Sequence, residues 1–244
     1  MSLGWLDADW PVPSGVMALS TYRGGGASTG RFASLNLGDH VGDDPHAVAE
    51  NRSRLVREAA LPREPQWLAQ VHGVAVADLD AGPPLRSADA AFTRQPDRVC
   101  AILTADCLPV LLAAESGEVV GAAHAGWRGL AAGVIEATVR AMGVAPERML
   151  AWLGPAIGPA QFEVGGEVRE ALLAQDEGSH EAFRANFRGR FMADLGLLAR
   201  RRLGTLGISR IYGGGECTYS SADKYFSHRR DGNSGRQATL IWRK

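Results

Sequence analysis

Three side chains in this sequence are of types that hold a transition metal. His72 lies in Gln70-Val71-His72-Gly73, Cys107 in Thr104-Ala105-Asp106-Cys107-Leu108-Pro109, and His124 in His124-Ala125-Gly126-Trp127-Arg128-Gly129. Two imidazoles and one thiolate form a three-ligand set suited to zinc, with a fourth position left for water or substrate. Zinc so held brings the pKa of its water to about 7 and supplies hydroxide at neutral pH. The spacing of the three matches no compact zinc-finger pattern, so two other readings of Cys107 stay open. It can be a small buried core residue, or a nucleophile with His72 or His124 as its base and no metal at all. Asp106, next to Cys107, is a candidate proton shuttle, a carboxylate that orients a ligand, or the cap of a turn.

These residues need elements to position them. Val99 to Thr104, Leu108 to Ala113 and Val119 to Ala123 are short apolar runs that read as buried strands, the last two separated by the turn Glu115 to Glu118. Cys107 then falls at a junction of two strands and His124 at the end of the third. Residues 126 to 142 read as one helix, with Leu130, Val134, Ala137, Thr138 and Ala141 near helical spacing. A second helix is expected from Asp43 to Ala60, with an aspartate cap and Pro45 in its first turn. Trp67 to Val76 has strand character with His72 inside it, and Pro83-Pro84 marks a loop. Met149 to Leu153, Ile208 to Tyr212 and Thr239 to Trp242 read as strands, and Glu167 to Leu173 and Phe191 to Leu203 as helices. The glycine cluster from Gly24 to Gly30 reads as a flexible loop, since it lacks the Lys-Ser/Thr of a P-loop and the spacing of a dinucleotide fingerprint. Strands and helices interleave irregularly, so the expected fold class is α+β, a mixed sheet with flanking helices.

Composition narrows the function. The 244 residues are 45% hydrophobic and 22% charged, with a formal net charge of −1. That balance is ordinary for a globular protein and excludes a globally basic nucleic-acid binder. No apolar run reaches the ~18 residues of a membrane span. The first residues are acidic where a secretory signal is basic, which leads to an expectation of a cytoplasmic protein. Three cysteines, an odd and sparse number, fit a reducing compartment better than a disulfide framework.

Several strings together resemble the YfiH family. They are Thr104 to Val110, His124 to Gly129, Gln70 to Gly73, Ser34 to Gly38, His40 to Asp44, Asn51-Arg52, Cys217-Thr218, and Phe226 to Gly232 followed by Gly235-Arg236. The likeness runs from about residue 15 to the C-terminus, so residues 1–244 are expected to be one YfiH-like domain with 1–15 as an N-terminal extension. At His228 the family has tyrosine as often as histidine. The family has been labelled a laccase-domain or polyphenol oxidoreductase family and a peptidoglycan editing factor. The resemblance implies a layered fold shared with the cytotoxic necrotizing factor toxins, whose Cys-His pair is catalytic. It implies zinc on His72, Cys107 and His124, which are counted as catalytic; Asp106 joins them as a catalytic candidate from its place beside Cys107. It also implies phosphorolysis of adenosine, inosine and S-methyl-5′-thioadenosine, with inorganic phosphate as co-substrate, and deamination of adenosine. Small nucleosides, rather than nucleic acid or a membrane, are the expected partners.

Phosphate calls for arginines and free backbone N–H groups. Arg128 is the first candidate because its motif adjoins His124, with Arg52, Arg229, Arg230 and Arg236 as others. Ser34 and Asn36, in an expected strand beside the glycine loop, are candidates to bond ribose or base, and Trp127 or Phe226 to stack on a purine. Arg200 to Arg202 end a helix and read as a complement to its dipole. Three alternatives remain. One is a metal-independent Cys-His hydrolase, and another is a protein that binds or edits peptidoglycan precursors. The third is copper at the same three residues. Efficient oxygen reduction is not expected of it, because multicopper sites use many imidazoles, commonly in His-x-His pairs. The chain has six histidines and no such pair.

Overall fold

Val99–Thr104 and Leu108–Ala114 are apolar at every position but Thr104 because both of their faces are covered, and every residue of both strands is buried. The computed structural model describes residues 2–82, 85 and 87–244; the loop expected at Pro83-Pro84 lies outside them. Two sheets form the centre. The smaller has the order β1 (Trp5–Asp7), β2 (Val16–Thr21), β13 (Gln237–Arg243) and β5 (Val99–Thr104), all antiparallel. The larger has six strands in the order β12 (Arg210–Gly213), β8 (Met149–Leu153), β6 (Leu108–Ala114), β7 (Val120–Ala125), β4 (Ala90–Thr93) and β3 (Val76–Asp78). Its outer pairs β12–β8 and β3–β4 are parallel and the rest antiparallel, so the sheet is mixed, as the α+β reading expects. A small third sheet joins β10 (Phe183–Ala185), β11 (Phe191–Ala193) and β9 (Glu163–Val164).

The period-two alternation of the strands sorts their side chains into layers. Cys100 and Ile102 of β5 and Ile241 of β13 meet Leu111, Ala113 and Leu150 of the large sheet in one core between the sheets. Val99, Ala101 and Leu103 point the other way and pack, with Leu240 and Trp242, against Leu55 of helix α1 (Pro45–Glu58). On the far face of the large sheet, Val110 and Leu112 pack under four helices: α2 (Trp127–Ala132), α3 (Val134–Met142), α4 (Gly166–Leu173) and α5 (Leu195–Leu206). The layers run helix, sheet, sheet, helices. A short helix, α6 (His228–Asp231), precedes β13.

Local chemistry explains most boundaries. Asp44 caps α1 by accepting the His46 N–H at 3.0 Å, with Pro45 in the first turn. The helix expected over residues 126–142 is two, because Gly133 sits at φ 92° and closes α2 with a left-handed residue. The helix expected from Phe191 starts later: residues 191–193 pair as β11, and Asp194 caps α5 by accepting the Leu197 N–H. The strand expected at 67–76 is a turn around His72, and Ser34 and Asn36 lie in a loop rather than a strand. None of the helices among the described residues is long and apolar enough to cross a membrane.

Candidate metal centre

Cys107 sits where the chain leaves one sheet for the other. Only Ala105, Asp106 and Cys107 separate β5 from β6, and Asp106 turns the corner at φ 95°. His124 is the penultimate residue of β7, opposite Pro109 of β6, and its strand is followed by Gly126, the residue that precedes α2. His72 comes from the turn that crosses this end of the sheet, at φ 61°. The ligand atoms of His72, Cys107 and His124 all lie within 4.8 Å of one another. Cys107 Sγ faces His72 Nε2 at 3.8 Å, and the imidazole centroids are 4.7 Å apart at 63°.

Asp89 organises this group, and no feature of the sequence had singled it out. It is fully buried just before β4, and its backbone carbonyl accepts the His124 N–H at 2.7 Å. Its Oδ1 accepts from His124 Nδ1 at 2.8 Å and from the His72 backbone N–H at 2.9 Å. Its Oδ2 accepts the N–H groups of Val71 at 3.1 Å and Gly73 at 2.7 Å. The turn around His72 therefore curls over a carboxylate instead of pairing as a strand. Burial pushes the Asp89 carboxyl up, but the bonds from His124, Gly73 and Val71 outweigh that and hold it below the ordinary carboxylate value. The only sign of it in the sequence was an aspartate at the mouth of the apolar run Ala88 to Phe92, where a buried charge needs partners.

The donor set fits zinc. Nδ1 of His124 is engaged by Asp89, which leaves Nε2 as the free nitrogen of that ring, the carboxylate–imidazole arrangement common at metal ligands. Bonds of zinc to sulfur and nitrogen in tetrahedral geometry place those atoms roughly 3.6 Å apart, close to the 3.8 Å between Cys107 Sγ and His72 Nε2. Burial raises the Cys107 thiol, but the positive His124 and hydrogen bonds from both imidazoles overcome it and push it down toward thiolate. Burial lowers His124, and the Cys107 thiolate with Asp89 pushes it back up. Gly126 makes room for the group: a Cβ there would lie 2.8 Å from Cys107 Sγ and 3.3 Å from His72 Cδ2.

The group opens on a cavity of about 390 Å³ that Arg128 also lines. Arg128 lies over the Trp127 ring at 4.4 Å. Arg236, another of the expected arginines, lines it too, whereas Arg52, Arg229, Arg230, Ser34 and Asn36 do not. Arg52 donates Nε and Nη2 to Leu37 O at 3.0 and 2.9 Å and stacks over Trp67. Arg229 gives Nη1 to Glu163 O at 2.9 Å, and Arg230 spends Nη1 and Nη2 on the carbonyls of Thr218, Tyr219 and Tyr225. Ser34 Oγ accepts the Gly26 N–H at 3.0 Å, and buried Asn36 bonds Gly38, Asp43 and the Arg236 N–H. Together with Asn51, which accepts from Ala27 and donates to Ser28 Oγ, they pin the glycine loop. Asp106 accepts from Thr218 Oγ1 at 2.7 Å and from the Arg229 N–H at 2.6 Å. Phe226 is fully buried, and Trp127 packs partly buried against the core under the helices.

Residues 17–244 match the family described as multi-copper polyphenol oxidoreductase laccase. The chain is 53% identical over 239 residues to the Pseudomonas aeruginosa protein named purine nucleoside phosphorylase PA4543, covering 98% of each. It is 51% identical over 234 residues to the Escherichia coli protein named purine nucleoside phosphorylase YfiH, covering 96% of each. Among solved structures, Neisseria meningitidis protein NMB0706 superposes with a TM-score of 0.92 at 45% identity, over 98% of this chain and 99% of that one. YlmD from Geobacillus stearothermophilus gives 0.87 at 33% identity, over 99% and 96%.

Proposed function

This chain belongs to the family described as multi-copper polyphenol oxidoreductase laccase, which includes the YfiH proteins, and from that membership we propose that it is a zinc-dependent purine nucleoside phosphorylase. The observation that carries the reading is the His72–Cys107–His124 group, held by Asp89 against a cavity of about 390 Å³. Relatives up to 53% identical across nearly the whole chain are named for that activity, which supports the choice of substrate class.

In phosphorolysis a phosphate oxygen bonds to the anomeric carbon as the glycosidic C–N bond breaks. The electron pair leaves with the purine, which takes up a proton at a ring nitrogen, and the other product is ribose 1-phosphate. Adenosine, inosine and S-methyl-5′-thioadenosine are the proposed substrates, the last giving the thioribose 1-phosphate. The same site is proposed to deaminate adenosine, with water replacing the 6-amino group, which departs as ammonia. Zinc bound by these three residues would supply Lewis acidity and an acidified water. Asp89 keeps His124 in one tautomer and orientation. Arg128 offers a guanidinium that has no hydrogen-bond acceptor among the described residues and so can pair with the anion. Asp106, with both oxygens engaged, acts by holding the corner that carries Cys107.

The laccase description calls for several copper centres. Among the described residues this is the only group of three or more His, Cys, Asp or Glu side chains placed to hold a metal. Copper can occupy this one site, and oxygen reduction forms no part of the proposal.

Product analysis tests the reading. Purified zinc-loaded protein is incubated with adenosine, with and without phosphate, and the products are separated. Adenine that appears only with phosphate supports phosphorolysis, and inosine supports deamination. If neither product appears while the zinc is intact, the nucleoside reading falls. Turnover that survives chelation but not alkylation of Cys107 moves the weight to a cysteine hydrolase. His72→Ala, Cys107→Ala and His124→Ala should each lose bound zinc and activity while staying folded, and full zinc occupancy in all three would refute the ligand assignment.

A further inference from the structure

The cavity beside the metal centre contains a hydroxyl without a partner. Thr104, at the end of β5, is 2% exposed and lines the cavity, and its Oγ1 makes no hydrogen bond. Buried polar groups are rarely left so, because the unpaired group is destabilising. Among the described residues lining the cavity, Thr104 is the one with a buried polar side-chain atom left without a partner.

Arg236 reaches the same cavity from the neighbouring strand position, since Gln237 of β13 pairs with Thr104. Its Nη1 donates to the carbonyls of Ser234 at 2.8 Å and Gly235 at 3.0 Å. Nε and Nη2 have no acceptor among the described residues. The residue is held in place from two sides. Asn36 Oδ1 accepts its backbone N–H at 2.9 Å, and Gly38 leaves its side chain room, since a Cβ there would lie 2.8 Å from Arg236 Cγ. Arg128, His40 and His228 also line the cavity, and no carboxylate does.

We infer that Thr104 and Arg236 form an oxyanion subsite beside the metal centre that takes inorganic phosphate or another tetrahedral oxyanion such as sulfate or arsenate. Two free N–H groups of a guanidinium suit two oxygens of such an anion, and the Thr104 hydroxyl suits a third. A wall without carboxylates admits a dianion. Phosphate as the natural occupant rests on the proposed phosphorolysis; the subsite itself rests on the geometry alone.

The test is calorimetric titration of inorganic phosphate into the zinc-loaded protein without nucleoside, for wild type, Thr104→Val, Arg236→Ala and Arg236→Lys. Thr104→Val and Arg236→Ala should each weaken phosphate binding roughly tenfold or more, and Arg236→Lys should recover part of the loss. Zinc content should not change. Thr104→Val should melt no lower than wild type, because a methyl replaces an unpaired hydroxyl, whereas a structural hydroxyl would lower the melting temperature. In turnover, KM for phosphate should rise while KM for the nucleoside changes less than about threefold. Wild-type phosphate affinity in both Thr104→Val and Arg236→Ala overturns the inference. So does absence of phosphate binding by wild type, or an equal rise of both KM values. If the variants lose phosphate binding but wild type releases no adenine, the subsite stands and the phosphorylase reading falls. If adenine forms and the variants keep their KM for phosphate, the reverse holds.

Discussion

Asp89 and His124 are joined twice, by the 2.8 Å bond from the imidazole Nδ1 to the carboxylate and by the 2.7 Å bond from the His124 backbone N–H to the Asp89 carbonyl. The same carboxylate holds the backbone of His72. One buried side chain thus sets the relative position of two imidazoles that are far apart in the sequence. Asp89→Asn keeps the size but replaces one acceptor oxygen by a donor, so that N–H groups face each other. Zinc affinity should fall roughly 10- to 100-fold, as for other carboxylates that orient a metal-bound histidine. Competition against a chromogenic chelator measures it, and an unchanged affinity would remove Asp89 from the account of the site.

Asp106 is placed to hold the chain together rather than to face the cavity. Its two oxygens tie the β5–β6 corner to Thr218 and to the start of α6. In Asp106→Ala both donors lose their acceptor, which should cost about 1–3 kcal/mol. Urea unfolding reads that cost. A variant of full stability with abolished turnover would instead assign Asp106 to proton transfer.

Much of this fold was legible in the sequence, for physical reasons. The β5 to β8 runs are apolar except at Thr104 and His124 because they lie between covered faces, and α1 announces itself through Asp44-Pro45. The metal-type residues and their converging strand ends were legible too. What was hidden depends on partners distant in the chain. Trp67 to Val76 has strand character, but Asp89 captures the N–H groups of Val71, His72 and Gly73. No local signal says that β5 and β6 belong to different sheets, with Cys107 at the crossing. Arginine in a motif says nothing of where its guanidinium lies or how much of it carbonyls occupy: Arg52 and Arg230 are bonded to carbonyls away from the cavity, whereas Arg128 and Arg236 line it, Arg236 with only Nη1 bonded to carbonyls.

A surface pair sets an acid-side contribution to stability. The Arg201 guanidinium, bonded to Asp176 at 2.8 and 3.2 Å, holds that carboxyl below its ordinary value. A depressed folded pKa stabilises above the unfolded pKa of about 3.9 and is lost as pH falls through the folded value. Wild type should therefore be more stable than Asp176→Asn at pH 6, and the difference should shrink as pH falls below the ordinary carboxylate value. Denaturation midpoints across that range check the sign, and parallel curves would refute it.

The closest packing in the centre is at a residue that carries no ligand atom. Gly126 lies between β7 and α2, as the residue that precedes the helix, with φ −65°, a conformation open to any residue, so backbone freedom does not require glycine there. Space does. A Cβ would stand 2.8 Å from Cys107 Sγ and 3.3 Å from His72 Cδ2, with backbone fixed by β7 on one side and α2 on the other. Gly126→Ala should therefore push Cys107 and His72 apart by a few tenths of an ångström. Misplacement on that scale matters for a site whose ligands must meet bond lengths within about 0.2 Å. The variant should fold, with a melting temperature within a few degrees of wild type, and yet bind zinc at least tenfold more weakly. Cobalt substitution reads this independently of turnover, because the thiolate-to-cobalt charge-transfer band reports the Cys107 bond. An unchanged band and unchanged affinity would show that the centre yields to the added methyl and that space does not require glycine there.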